Sequence, residues 1–335
     1  MKKTIRRLLA LGLAAIAAIG TAGAETEKDG FHFDEQGFLT GEDNPAEEYL
    51  LEDEKAGSWR YASKDLSITV TRTEETVKVS GKKRIREYCI AEIYASETSP
   101  LFSIFKNRPE GRKERPAGYF KDLPKKIVEE HPVILALSDD YYGHRMQTRE
   151  AKKAKWPDGI IIRNGELISA KTRTGKKVEF PPLDTLAVYG DGSMRADPVG
   201  AKTAEEFQAE GAVQVFAFGP WLIHNGEINE KGVDSSQKHH MFATAQYSDS
   251  RAAIGMIEPY HYIAIVVNGR PKSKNIGVKF DWLAEKLQEL GCTEALNLDG
   301  GGTACMVFNG KVIIQGEPTA RALGSMIAFG NKETE

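Results

Sequence analysis

The sequence is poor in cysteine, and this limits the kinds of site that it can build. Its 335 residues include three cysteines, Cys89, Cys292 and Cys305, at spacings that fit neither a zinc site nor a disulfide framework. A single bridge between Cys292 and Cys305 is compatible with their positions. We favour small, buried hydrophobic side chains at all three.

Long apolar runs are also missing beyond the N-terminus. Residues 1–24 combine four basic residues, an apolar run over residues 8–19 and the small triplet Ala22-Gly23-Ala24, which is typical of a cleaved secretion signal. A membrane anchor is the alternative, but the run is too short to span a bilayer comfortably. We therefore expect cleavage near Ala24, no stable membrane insertion, and a protein that is secreted or resides in the cell envelope.

An excess of positive charge is absent. The formal net charge is −3, and it becomes −7 once the four basic residues of the signal are removed. Proteins that bind nucleic acid carry a clustered basic surface, because they must neutralise phosphates. The composition thus argues against a nucleic-acid partner.

Nucleotide-binding motifs are missing as well, although one stretch is rich in glycine. The segment LNLDGGGTACM, residues 296–306, has neither a Lys-Ser or Lys-Thr pair after its glycines nor the G-x-G-x-x-G spacing. Glycines after a buried strand let a ligand approach the main chain, and consecutive N–H groups can bind one anion. We predict such an anion nest at Gly300, Gly301 and Gly302 beside Asp299. The alternatives are a bulge at a sheet corner and an Asp299 that only caps its own turn.

The rest of the chain predicts a single α/β (α+β) domain dominated by a mixed β-sheet, with several hairpins and a few packed helices. Residues 25–58 are acidic and read as a leader or loosely packed arm, and residues 59–335 as the domain. Asn-Gly pairs after β-rich runs predict tight hairpins at residues 164–165, 225–226, 268–269 and 309–310. Helices are predicted at 125–130, 203–210 and 281–290, the last capped by Asp281 and stopped by Gly291.

The motifs FGPWLIHNGE, RAAIG, VVNGR and LNLDGGGTACMVFNG follow one another along the chain and precede a late Arg321. Taken in this order, they resemble the phosphodiester glycosidase family over residues 67–329. The resemblance implies an α/β fold and hydrolysis of a sugar that is linked through phosphate to a second group. Two positions depart from the family pattern: Ser138 stands where asparagine is usual, and Ser250 replaces a proline, which we expect to loosen the approach to Arg251.

The chemistry of that reaction suggests which residues to examine. A phosphate leaving group calls for positioned positive charge, and the sugar side calls for a carboxylate. The candidate catalytic residues are Asp299, Asp140, Arg251 and Arg321. The candidate substrate-binding residues are Gly300, Gly301, Gly302, Thr303, Arg270, Asn268 and Tyr142. The expected partner is a phosphorylated or phosphodiester-linked glycan, with an α-N-acetylglucosaminyl phosphodiester as the family's example.

Each candidate also has a plainer interpretation. Arg321 could belong to a structural ion pair, Asp139 reads as a solvated turn residue, and His224 as a packed strand histidine. We expect no cofactor, although the acids near Asp140 could hold a structural calcium ion. Two other functions fit the same residues: a non-catalytic module that binds envelope polysaccharide, and a glycosidase that acts on ordinary glycosides.

Overall fold

The computed structural model describes residues 27–41, 43–115, 117–140, 159–171, 183–234, 247–270, 273–317 and 319–331. Strands β1 to β7 are Glu27–Lys28, Phe31–His32, Tyr49–Asp53, Ser58–Ala62, Ser67–Val79, Lys82–Tyr94 and Phe102–Phe105. Strands β8 to β14 are Val133–Ser138, Gly159–Arg163, Glu166–Lys171, Asp184–Tyr189, Met194–Asp197, Ala212–Phe218 and Trp221–His224. Strands β15 to β21 are Glu227–Ile228, Arg251–Glu258, His261–Asn268, Glu294–Leu298, Cys305–Phe308, Lys311–Gln315 and Ser325–Asn331. Helices α1 to α4 are Pro124–Glu130, Ala204–Ala209, Glu230–Val233 and Phe280–Glu289.

Three large sheets build the domain. One has nine strands in the order β15-β14-β18-β16-β17-β6-β5-β4-β3. Two have five strands, in the orders β10-β9-β13-β11-β12 and β20-β19-β8-β21-β7. Each pairing between named strands is antiparallel, including the long β5–β6 hairpin. The predicted sheet-dominated α/β (α+β) domain with a few helices is confirmed.

The central strands of the nine-stranded sheet are buried on both faces. Along β17, Tyr262, Ala264 and Val266 belong to the main core between the sheets. The alternate residues, such as Ile263 and Ile265, pack with Leu283 and Leu287 of α4 on the other face. Burial on both sides explains why these strands read as continuous apolar runs rather than as alternating patterns. None of the helices that the structure describes has the length and hydropathy of a membrane-crossing segment.

The local signals agree closely with the observed helix ends. Thr203 caps α2 through a capping box, in which its hydroxyl accepts the Glu206 N–H at 3.2 Å and the Glu206 carboxylate accepts the Thr203 N–H at 2.7 Å. Gly291 ends α4 with φ of +89°, as predicted. The predicted Asp281 cap is wrong: Lys279 precedes the helix, and Asp281 lies in its first turn.

Three of the four predicted Asn-Gly hairpins are observed, with positive φ at both residues of the turns at 164–165, 225–226 and 309–310. The fourth is wrong. Asn268-Gly269 ends β17, and Gly269 is required there because a Cβ would lie 2.5 Å from the Gly277 nitrogen.

Residues 27–41 and 43–58, the described part of the segment read as an acidic arm, contribute β3 to the edge of the nine-stranded sheet. Phe33, Leu39 and Tyr49 are buried together with Ala62, and the Arg60 guanidinium lies 4.0 Å from the centre of the Phe33 ring. The boundaries at residues 24 and 58 stay predictions, and residues 1–26 lie outside the described part.

The three cysteines are free and buried, and they belong to three different hydrophobic clusters. Burial raises the pKa of the Cys89 and Cys292 thiols to about 12. These thiols are packed hydrophobes rather than partners in a bridge.

Candidate active site

The glycine turn, residues 299–303, follows β18 and folds back on the start of β16. A Cβ on Gly300 would lie 2.6 Å from the Ser250 carbonyl oxygen, and one on Gly302 would lie 2.4 Å from the Thr319 carbonyl oxygen. Gly301 has φ of +63°, in the left-handed region that favours glycine. The three consecutive glycines are therefore required by backbone contacts at the ends of the turn and by conformation at its centre.

The predicted anion nest is wrong at Gly301. Its N–H donates to the Ser250 carbonyl oxygen at 2.9 Å, so this donor serves the fold. Thr303 is buried, and its hydroxyl donates to the Gly300 carbonyl oxygen at 2.6 Å. The main contribution of the turn to a binding site is therefore its lack of side chains, rather than a set of N–H groups that point at a ligand.

Two arginines from distant segments meet over Gly301. A Cβ placed there would lie 3.1 Å from Nη2 of Arg270 and 3.8 Å from Nη2 of Arg321. Arg321 donates to the Gly300 carbonyl oxygen at 3.1 Å, and Arg270 donates through Nε to the Glu317 carbonyl oxygen at 2.8 Å. Both side chains keep substantial exposure, 53% for Arg321 and 39% for Arg270. The glycine at 301 thus leaves room for two guanidinium groups side by side.

Asp299 lies at the rim of the same turn. Its Oδ2 is 3.9 Å from Nη2 of Arg321, and its side chain retains 15% exposure. Its backbone N–H donates to the Asp139 carbonyl oxygen at 2.9 Å, which fixes the point where the chain leaves β18. The structure therefore brings together Asp299, the glycine turn, Arg270 and Arg321.

Ser250 supports this arrangement, a role that the sequence did not reveal. Its hydroxyl donates to the Gly269 carbonyl oxygen at 3.1 Å, and it accepts the N–H groups of Gly269 at 3.0 Å and Glu317 at 3.1 Å. A hydroxyl has one hydrogen to donate and two lone pairs, so its hydrogen-bonding capacity is filled. The expectation that Ser250 loosens this region is wrong, because it ties the segments that carry Arg251, Arg270 and residue 317. The one sequence signal for this role was that serine stands at position 250 where the family usually has proline.

Arg251 does not belong to the arginine pair. It is buried, and its guanidinium lies 4.2 Å from the centre of the Phe280 ring at the start of α4. It donates to the carbonyl oxygens of Val278 at 3.4 Å and Tyr247 at 3.2 Å. Burial lowers the pKa of Arg251 to about 10, so the group remains a cation at neutral pH. The Arg251 backbone lies behind the glycine turn, whereas its guanidinium lies against α4.

Asp140 occupies a buried ion pair beneath the site. Its Oδ1 accepts Arg163 Nη2–H at 2.7 Å, and its Oδ2 accepts the Ala217 N–H at 2.7 Å. Arg163 is buried as well, stacks 4.2 Å from the centre of the Phe216 ring and donates to the Val215 carbonyl oxygen at 2.6 Å. The structure thus places the Asp140 carboxylate on the Arg163 guanidinium.

Asp139 is also buried, with its carboxylate accepting the Ser325 hydroxyl, so the expectation of a solvated turn residue is wrong. The acids considered as calcium ligands in this region face the positively charged Arg163 side chain. Arg163 Nη2 is 3.9 Å from Asp139 Oδ2. Within the described residues, no group of three or more histidine, cysteine or acidic side chains is arranged to hold a metal ion.

Asn268 and His224 each pair with a glutamate. Asn268 donates through Nδ2 to Glu87 Oε2 at 2.9 Å, across the β17–β6 ladder. Tyr142 lies outside the described residues. His224 pairs through Nδ1 with Glu294 Oε2 at 3.0 Å and lines a separate cleft of about 750 Å³. Glu294 also lines this cleft and begins β18, whereas Asp299 follows the end of the same strand. The cleft therefore lies about 16 Å from Asp299 along the strand.

A model of the phosphodiester glycosidase family matches residues 131–330. The chain belongs to the phosphodiester glycosidase family. The match includes the glycine turn and both arginines above it. It also includes the buried ion pair, so the family's domain carries the whole candidate site.

Similar proteins have been solved and catalogued. The catalytic domain of zebrafish N-acetylglucosamine-1-phosphodiester α-N-acetylglucosaminidase, auto-inhibited by its pro-peptide, matches with a TM-score of 0.59 and 19% identity, over 86% of this chain and 89% of that domain. A hypothetical protein from Synechocystis matches with a TM-score of 0.49 and 14% identity, over 81% of this chain and 63% of that one.

A curated relative is the SPbeta prophage-derived uncharacterized protein YomE of Bacillus subtilis strain 168, which is 26% identical over 155 residues. The match covers 46% of this chain and 22% of YomE, so the chain spans about a fifth of the length of that relative. The zebrafish domain supports the fold of this family member.

Proposed function

We propose that this phosphodiester glycosidase hydrolyses the bond between an anomeric carbon and a phosphodiester oxygen in a glycan. The observation that carries the proposal is the pair of exposed guanidinium groups, Arg270 and Arg321, over a turn without side chains and beside the Asp299 carboxylate. Guanidinium forks match the geometry of phosphate oxygens. The open surface above Gly301 is where we place the phosphate.

The chemistry needs one carboxylate at the sugar. A water oxygen bonds to the anomeric carbon, the bond from that carbon to the phosphodiester oxygen breaks, and its electron pair leaves with the phosphate monoester. Asp299 takes the proton from the water. Since the departing phosphate is a good leaving group, a strong general acid is less necessary than for an ordinary glycoside. This fits a site in which Asp140 is committed to Arg163.

The two arginines supply the electrostatic part of the mechanism. Charge builds on the phosphate oxygens as the bond breaks, and donors already held in place stabilise it without further reorganisation. Arg321 is held by the Gly300 carbonyl oxygen, and Arg270 by the Glu317 carbonyl oxygen and by Asp249, whose Oδ1 is 3.4 Å from Nε. Each guanidinium keeps further N–H groups for a ligand.

We also propose that the enzyme acts outside the cytoplasm, on phosphate-bearing glycans of the cell envelope or of secreted polysaccharide. The pattern of residues 1–24 supports export. N-terminal sequencing of the mature protein tests this, with Glu25 expected as the first residue. A chain that still began at Met1 after export would contradict cleavage.

The decisive test of the reaction is Asp299→Asn. We expect it to abolish sugar release from a glycosyl-1-phosphodiester, because the amide cannot accept the proton, while the thermal melting temperature stays close to that of the wild type. The matched control is Asp43→Asn, the same change at an exposed position, which should leave turnover unaffected. Release within a few fold of wild type by Asp299→Asn would remove it from catalysis. A wild-type protein that bound the glycan without releasing sugar would instead be a non-catalytic binding module.

A further inference from the structure

The β5–β6 hairpin extends beyond the end of the sheet that carries the candidate site. Its pairing with β17 stops at Glu87 opposite Asn268, whereas β5 and β6 stay paired as far as Val79 and Lys82. Five residues of each strand therefore project past the sheet edge, a length of about 16 Å. Strands β17 and β18 end at this edge and β16 begins there, so the hairpin overhangs the side of the molecule that holds Arg270.

The end of this hairpin is basic. Residues 77–84, which we call the basic hairpin tip, read VKVSGKKR and contain four cations and no acid, in a chain whose net charge is negative. Lys78, Lys82 and Lys83 are exposed, and within the described residues none of the three takes part in an ion pair. Lys78 and Lys83 stand directly opposite each other in the ladder. Like charges in that position destabilise a hairpin, so their presence favours an anionic ligand that lies across them.

Arg84 joins the basic hairpin tip to the candidate site. Its guanidinium donates to the carbonyl oxygens of Arg270 at 3.4 Å, of Lys274 at 3.5 Å, and of Ser273. The Ile276 N–H donates to the Ile85 carbonyl oxygen at 2.7 Å, which fastens the same loop to β6. These hydrogen bonds hold the hairpin and the segment that carries Arg270 together.

We propose that the basic hairpin tip binds a polyanionic chain, namely a glycan polymer with phosphate in successive repeats, while one phosphodiester of that chain occupies Arg270 and Arg321. Lysines suit this task because they are flexible point charges that bind phosphate without demanding one geometry. Binding to several phosphates at once releases counterions and makes affinity strongly dependent on salt. The identity of the repeat rests on the proposed function, whereas binding at the basic hairpin tip needs no turnover.

The test replaces three charges at the basic hairpin tip and three elsewhere. The tip variant carries Lys78→Gln, Lys82→Gln and Lys83→Gln. The control carries Lys64→Gln, Lys125→Gln and Lys231→Gln, three exposed lysines on other elements. Binding of long-chain inorganic polyphosphate is titrated over a range of salt concentrations. We expect the salt dependence of log K to weaken by about two in slope for the tip variant, near 0.7 per lost contact, and to stay unchanged for the control.

A second variant protects the test against misfolding. Lys83→Glu places a carboxylate directly opposite Lys78, so the hairpin gains a favourable cross-strand pair. We expect its melting temperature to equal or exceed that of the wild type while polyphosphate binding falls. A Lys83→Glu protein that kept its stability and still bound polyphosphate like the wild type would overturn the assignment.

The outcomes separate this inference from the proposed reaction. Asp299→Asn should bind polyphosphate at least as tightly as the wild type, because it keeps the basic hairpin tip and loses a negative charge 3.9 Å from Arg321. The kcat/KM for a phosphodiester polymer is divided by the kcat/KM for a short glycosyl phosphodiester. The tip variant should lower this ratio by about tenfold, in line with the loss of several phosphate contacts. Equal polyphosphate binding by the tip variant and the wild type would overturn the proposal. So would tip-dependent binding to phosphatidylglycerol vesicles without binding to polyphosphate, which would make the basic hairpin tip a membrane contact.

Discussion

Three arginines that the sequence marks alike as phosphate ligands occupy different surroundings. Arg270 and Arg321 are half-exposed and meet over Gly301. Arg251 is buried against Phe280, and burial lowers its pKa to about 10. The same residue type therefore lies half-exposed beside the glycine turn at two positions and packs against α4 at the third.

Arginine-to-lysine substitutions should separate these roles. We expect Arg321→Lys and Arg270→Lys to lower kcat/KM for a glycosyl phosphodiester by about 10²-fold, because an ammonium cannot reproduce the fork that stabilises the developing phosphate charge. The loss on a simple aryl glycoside should be smaller, since that substrate carries no phosphate. Arg251→Lys should mainly lower the melting temperature, because it removes the stacking on Phe280. Steady-state kinetics on both substrates and thermal melts of the three variants provide the measurement.

The same comparison tests a competing function. Equal losses on the two substrates for Arg321→Lys would show that the arginine does not act on phosphate. The result would favour a glycosidase for ordinary glycosides.

At the scale of the element, the glycine turn contains its three glycines because side chains at these positions would clash with neighbouring atoms. Gly300 and Gly302 have backbone carbonyl oxygens where a side chain would begin, and Gly301 combines a left-handed φ with two guanidinium groups. The hairpin turn at Gly310 offers a useful contrast, since its φ is +76° and a Cβ there would meet nothing within 4 Å.

Gly301→Ala and Gly310→Ala form a matched pair. Both should lose about 1–2 kcal/mol of unfolding free energy, because alanine is strained at positive φ. We expect a fall in kcat/KM for Gly301→Ala alone, because its Cβ would crowd Arg270 at 3.1 Å. Urea unfolding and kinetics on a phosphodiester substrate measure the two effects. Similar kinetics for both variants would show that the space above Gly301 is not used by the substrate.

Local patterns predicted the elements well and the side-chain partners poorly. Helix α2 and three Asn-Gly hairpins follow from residues close together in the chain. The environment of Arg251 does not, because β16 is buried on both faces and its sequence carries no periodicity that shows which way a side chain points. The partner of Asp140 is 23 residues away in another sheet, a pairing that only the folded chain reveals. Asp299 and its glycines were found because consecutive glycines after a buried strand are rare without a steric or ligand-binding reason.

At the scale of the whole molecule, the buried acids join two sheets under the site. Asp140 follows β8 of one five-stranded sheet, and its partners Arg163 and Ala217 belong to β9 and β13 of the other. Asp139, its neighbour, accepts the Asp299 N–H through its carbonyl oxygen. The position of the candidate catalytic carboxylate therefore depends on how these sheets are held together.

Asp140→Asn distinguishes this structural role from a catalytic one. The change removes the nearer of the two carboxylates that face Arg163, and breaking a buried ion pair from one side costs about 3–5 kcal/mol of unfolding free energy. We expect a large drop in the melting temperature, with kcat per folded molecule at low temperature within a few fold of wild type. Asp299→Asn serves as the reciprocal control, because it should leave the melt nearly unchanged and remove turnover. Denaturant unfolding and active-fraction kinetics on both variants provide the comparison, and an Asp140→Asn protein that kept wild-type stability but lost turnover would instead make Asp140 a second catalytic carboxylate.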